Sequence, residues 1–149
     1  MVEIWFTYIL PCLCSFVACV GFTLVLNIHG VGKMICGVGG ALGWLIYLLG
    51  GSTILAAFLA SAAIGLYSEM MARLRRCPVT GYLLVALLPL VPGGGIYFAM
   101  SYCVSGDIQR FLDTLLHTFG MAAALAVGAM MTSSLFRAAY PYLHRPKVK

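Results

Sequence analysis

The chain has 149 residues, of which 62% are hydrophobic and 9% charged, and its mean hydropathy is +1.02. Soluble domains carry roughly 25% charged residues, so a water-soluble fold of this length could not hide so much apolar surface, and the composition points to an all-α integral membrane protein. The net charge of +5 calls for no nucleic-acid partner, because no soluble basic face is left to bind one.

The charges are bunched. None falls between Glu3 and Lys33, Lys33 and Glu69, Arg76 and Asp107, or Asp113 and Arg137. Each gap is long enough to cross a bilayer, which takes about 20 apolar residues. The first predicted helix covers 4–26. It lacks a positively charged start and its apolar stretch is too long for a signal-peptide core, so no cleavable signal is expected. Cys12 and Cys14 fall on different faces of this helix and have no His nearby, which makes a poor metal site. Together with Cys19, Cys36, Cys77 and Cys103 they read as small hydrophobes, and no metal or cofactor is expected. Asn27, at the helix end, either caps it or touches a solute.

The gap from 34 to 68 is too long for one ordinary span and suits two short ones. Gly50-Gly51-Ser52 is the natural turn between helices 34–49 and 53–72. Gly39 and Gly43 form a GxxxG pair in the second helix, and Ala57, Ser61 and Gly65 form a small-residue ridge in the third. In lipid such ridges let backbones approach closely, where packing replaces the hydrophobic effect as the driving force.

The fourth helix, 81–104, is predicted to be interrupted near 89–95. Pro89-Leu90-Val91-Pro92-Gly93-Gly94-Gly95 combines two prolines, which each remove a donor, with three of the poorest helix formers. Broken backbone at membrane depth survives only where protein or a water-filled cavity shelters it, and transporter binding sites are commonly built that way. Pro89, Pro92, Gly93, Gly94 and Gly95 are therefore candidates for solute binding or gating; a kink that only packs against a neighbour is the alternative. Tyr97, just beyond, either offers its hydroxyl to solute or anchors the bundle.

The fifth helix, 108–139, carries a second ridge of Gly120, Ala124 and Gly128. Asp113 and His117 lie one turn apart on it, with Arg110 one turn before Asp113. They are candidates for proton coupling if they lie inside the membrane, and otherwise an interfacial Arg and Asp pair beside a solvated His. Residues 140–149 read as an aromatic and basic cytoplasmic tail. Five spans place Lys33, Arg73, Arg75, Arg76, Arg137, Arg145, Lys147 and Lys149 on one side, eight of the 9 basic residues. Because Lys and Arg accumulate on the cytoplasmic side, the amino terminus is expected outside and the carboxyl terminus inside.

Several of these segments, taken together, resemble the threonine/serine exporter family. They are Val20 to Asn27, Gly37 to Gly43, Phe58 to Gly65, and the Pro89 to Gly93 segment followed by Ile96-Tyr97, and the resemblance covers nearly the whole length. It is closest to the small membrane-embedded subunit of the split form. That resemblance implies a bacterial inner-membrane protein that exports threonine or serine, or a dicarboxylate such as succinate, with a larger partner subunit that has five helices and a cytoplasmic domain. One departure is His29, where the family commonly has proline two residues after the asparagine.

Five spans in each unit would relate the two as an inverted-topology pair with solute near the midplane. The three small-residue patterns also argue for a compact bundle, an obligate partner or a higher oligomer. Two other readings compete. An enzyme is disfavoured because Glu69 is the sole acid on the cytoplasmic side, no GxSxG occurs, and Leu42 spoils a GxGxxG over 37–43. A non-transporting assembly or stabilising subunit is the second alternative.

Overall fold

A computed structural model describes residues 5–28 and 30–143, and every regular element among them is helical. Lipid cannot satisfy a backbone N–H or C=O, so an apolar chain that must cross it closes its hydrogen bonds within each helix. A π-helical turn, Trp5–Ile9, leads into α1, Leu10–Val25; α2 is Gly32–Leu49, α3 is Ile54–Arg75 and α4 is Val79–Leu87. A 3-10 turn, Leu88–Leu90, follows α4, and then come α5, Gly93–Val104, and α6, Ile108–Leu143.

Four stretches are long and apolar enough to span a bilayer, namely Thr7–Val25, Gly32–Leu49, Ile54–Arg75 and Ile108–Ala138. Val79–Leu90 and Gly93–Val104 make a further span if they are taken as one helix bent by 45° at a short break. That gives the expected five spans with the fourth interrupted. α6 has 36 residues, about 54 Å at 1.5 Å per residue, and so exceeds the hydrocarbon thickness. It continues past position 140, where the tail was expected to start. Residues 144–149, with Arg145, Lys147 and Lys149, lie outside the described residues, as does His29.

Helix ends are closed by one repeated device. Asn27 has φ 56°, its N–H donates to Leu24 O at 3.3 Å, and the N–H of Ile28 reaches back to Thr23 O at 2.9 Å. This is a Schellman motif with Asn in the left-handed position that it tolerates better than most residues. The same pattern recurs at Arg76, with φ 53° and a 3.0 Å bond from Cys77 N–H to Ala72 O. Thr53 starts α3 as an N-cap, its Oγ1 accepting from Ala56 N–H at 3.2 Å.

The small-residue ridges of α3 and α6 meet each other. A Cβ on Gly128 would collide with Ser61 Oγ and come within 2.7 Å of Phe58 O, while one on Gly65 would lie 3.0 Å from Thr132 Cβ. Thr132 Oγ1 then shares its proton between Ala62 O at 3.2 Å and Gly128 O at 3.0 Å, fastening the two backbones. Gly43 gives its space to Ile64, and Gly39 lies against Tyr67 and Ala86. α4 is thereby held between α2 and α3, α1 packs on α2, and α5 leaves the centre to rest on α6. Ala57, Ala60, Ile64, Ala86, Leu90, Met121 and Leu125 fill the core between them.

Candidate functional site

The break occupies residues 88–92, and the three glycines lie after it as the first turn of α5. The expected open turn over 89–95 is therefore shorter than the sequence implies. Pro89 and Pro92 supply the interruption by themselves: neither has an N–H, and the chain passes through a 3-10 turn, an extended Val91 (φ −60°, ψ 125°) and Pro92 at φ −78°, ψ 57°. The last conformation is close to an inverse γ-turn, closed by a 2.7 Å bond from Gly93 N–H to Val91 O. Ile96 N–H at 3.4 Å from Pro92 O starts the α5 ladder. The N–H groups of Gly94 and Gly95 have no acceptor within the helix, as expected of a first turn.

Depth follows from the neighbours. Leu90 is buried and would meet a Cβ on Gly43 at 3.4 Å, in the middle of α2, where Ile64 from the middle of α3 also packs. The glycines themselves differ. Gly95 is pressed against Thr118, whereas Gly93 and Gly94 have nothing within 4 Å of a built Cβ. None of the three has a positive φ. Tyr97 is 70% exposed and stacks edge-on with Phe98 at 5.6 Å, so its hydroxyl faces away from the bundle's core.

On the α1 and α2 side of the break is an open surface groove of about 310 Å³, lined by Pro11, Cys14, Ser15, Ala18, Trp44 and Pro89. Its lining includes no charged side chain. Ser15 and Trp44 were not singled out by sequence reasoning, although a Ser and a Trp in largely apolar spans carry polar groups that need partners. Ser15 packs against Gly40 beside the Cys19 thiol, which donates to Val85 O at 3.3 Å.

The other predicted residues lie apart from the break. Asn27 ends α1 as described. Asp113 and His117 are both exposed on α6, and no hydrogen bond or ion pair joins them among the described contacts. Arg110 turns instead to Asp107, with Nε 3.3 Å from Oδ2, while Asp107 Oδ1 accepts from Arg110 N–H at 3.2 Å as the cap of α6. Glu69, only 4% exposed, pairs with Arg73 at 3.3 Å, and the Arg73 guanidinium stands 5.2 Å from the centre of the Phe136 ring. This cluster ties α3 to α6 near the ends that carry the basic residues.

The arrangement is a broken helix inside a helical bundle, with bare backbone on one side of the break and a shallow groove without charged side chains on the other. The model of the family described as Threonine/Serine exporter, ThrE, matches residues 11–135, which include the break, the groove lining and the α3–α6 seam. No curated protein and no solved structure matches the chain.

Proposed function

The chain belongs to the threonine/serine exporter family, and on that premise we propose that it is one subunit of a secondary transporter whose broken span lines the solute path. Its cargo in this reading is a small polar metabolite, threonine or serine or a dicarboxylate such as succinate. The observation that carries the proposal is Gly93-Gly94. These residues are helical with negative φ and have open space around them, so neither backbone conformation nor packing within the chain accounts for glycine there. A group from outside the chain that approaches the backbone does account for it. N–H groups at a half-helix start, at the positive end of its dipole, suit a solute carboxylate.

The same reading includes a larger partner subunit with a cytoplasmic domain, related to this one as an inverted-topology pair. What supports it is the outward face of α5, where Ile96, Tyr97, Phe98, Met100 and Val104 are all exposed and only Ala99 of the helix is buried. The reading also places the chain in the bacterial inner membrane, with the amino terminus outside and the carboxyl terminus in the cytoplasm, and the sidedness of the basic residues supports that orientation. Proton coupling through Asp113 and His117 draws less support, since both side chains are exposed and unjoined.

That exposed face favours one other role, a subunit that assembles or stabilises its partner without lining the path. Efflux of L-threonine, L-serine and succinate separates the two, measured in cells lacking this chain and supplied with it alone, with the partner, or with variants at Gly93 and Gly94. Loss of flux at unchanged complex abundance supports the path; loss of abundance in proportion to flux supports assembly only.

A further inference from the structure

At the end of the bundle that gathers the basic residues, the last turns of α1 and α3 meet the first turns of α2 and α4 around an open groove of about 220 Å³, lined by Ile28, Cys77, Pro78, Gly81 and Tyr82. Three cations stand around it. Arg75 is close enough to the Tyr82 phenol to act on it electrostatically. Arg76, at φ 53°, ends α3 directly before Cys77. Lys33 follows Gly32, where a built Cβ would lie 3.2 Å from the Tyr82 hydroxyl. Arg75 and Arg76 are exposed and Lys33 is half-buried. None of the three forms a salt bridge among the described residues, and the one described acid at this end, Glu69, already faces Arg73. α4 starts in the same groove at Pro78 with no side-chain cap on its first turn, so the positive end of its dipole adds to the field.

We infer that Lys33, Arg75 and Arg76 form a headgroup site for an anionic phospholipid of the surrounding bilayer, its phosphate at the groove and its chains along the apolar helix ends. The inference needs the bundle to span a membrane and does not need the exporter reading to hold. Like charges held together repel, and the fold supplies no carboxylate to offset these three, so the counter-charge comes from outside the chain. A guanidinium offers paired donors that match phosphate oxygens, and basic clusters at the ends of spans attract anionic lipid. The neighbours decide between a soluble anion and a lipid. Leu74 and Met34, next to Arg75 and Lys33 in the chain, are both exposed, so apolar surface adjoins the cations. A soluble anion meets only the charge, whereas a phospholipid meets the charge with its head and the apolar surface with its chains.

The test takes the full chain, in the complex with which it purifies, incubates it in detergent with equimolar phosphatidylglycerol and phosphatidylcholine, and counts the bound lipids by native mass spectrometry. Wild type is expected to retain phosphatidylglycerol over phosphatidylcholine by about tenfold or more. The triple variant Lys33→Gln, Arg75→Gln, Arg76→Gln should lose that preference; the double variant Arg75→Gln, Arg76→Gln, at two exposed positions, decides the matter if the triple fails to accumulate. Arg137→Gln is the control, since Arg137 is on α6, which packs on α3 and α5 and does not border the groove. It should keep the preference, and inorganic phosphate in large excess should leave the lipid in place. No preference in wild type, as when an acidic face of another protein covers the cations, overturns the site. So does an unchanged preference in the glutamine variants. An equal loss in Arg137→Gln would mean diffuse charge instead of a site, and displacement by phosphate would mean a soluble anion; either result overturns the lipid assignment.

Discussion

Thr118 on α6 fills the place that a Cβ on Gly95 of α5 would take. Thr118 is buried, and its hydroxyl is fixed by a 2.6 Å bond to Thr114 O, so it is not free to swing aside. α5 makes its main contact with α6, and this close approach holds the second half-helix in place. Gly95→Ala is therefore expected to destabilise the protein by about 1–3 kcal/mol through overpacking. Membrane abundance and thermal denaturation in detergent check it; wild-type values for both would mean that α5 is held some other way.

The α3–α6 seam makes a second prediction. A methyl group on Gly128 meets Ser61 Oγ and, at 2.7 Å, the carbonyl oxygen of Phe58, which belongs to the backbone and cannot rotate away. Gly128→Ala is expected to cost about 1–3 kcal/mol. Gly21→Ala is the control, because nothing lies within 4 Å there and the residue is inside α1. It should be neutral or stabilising by up to about 1 kcal/mol. Equal thermal stabilities for the two variants would contradict the seam.

Much of this seam was legible in the sequence, and the reasons that other features were not are physical. Ala57-Ser61-Gly65 and Gly120-Ala124-Gly128 follow helical spacing, and close packing in lipid needs small residues, so the periodicity carries the contact. The Pro89 and Pro92 break is equally local, since a missing N–H interrupts a helix in any surroundings. Its extent was not, because three glycines are poor helix formers alone yet join a helix that rests on α6. The choice of Asp107 over Asp113 as the partner of Arg110 depends on where α6 starts, a boundary that composition leaves loose. Ser15 and Trp44 lie far apart in sequence and share no spacing, so only folding brings them to the groove beside Pro89.

Asp107 and Asp113 should behave differently. Asp107 caps α6 and pairs with Arg110, so Asp107→Ala is expected to cost about 1 kcal/mol of stability. Asp113 is exposed and makes no bond among the described contacts, so Asp113→Asn should leave stability and export close to wild type. A severe export defect in Asp113→Asn at normal abundance would return it to the coupling machinery.

Glu69 depends on Arg73. Removing the guanidinium strands a carboxylate that is 5% exposed, and Arg73→Ala is expected to destabilise by about 1–3 kcal/mol, less than for a fully buried pair because Arg73 is 30% exposed. Glu69→Gln, which keeps shape and hydrogen bonding, should cost less. Arg75→Ala, at an exposed position, should cost little. Denaturation midpoints for the three variants in that order check the cluster, and equal midpoints would mean that it contributes nothing.

The central claim is that the bare turn after the break lies on the solute path, and the double variant Gly93→Ala, Gly94→Ala tests it most directly. Both positions have helical backbone and open surroundings, so the added methyl groups should not destabilise the chain and should favour α5 slightly. L-threonine efflux is measured from proteoliposomes that hold the complete exporter, with the amount of assembled complex read in the same samples. The account predicts normal assembly with export reduced at least several-fold. Full export at normal assembly would contradict it, and would leave the break as a packing kink.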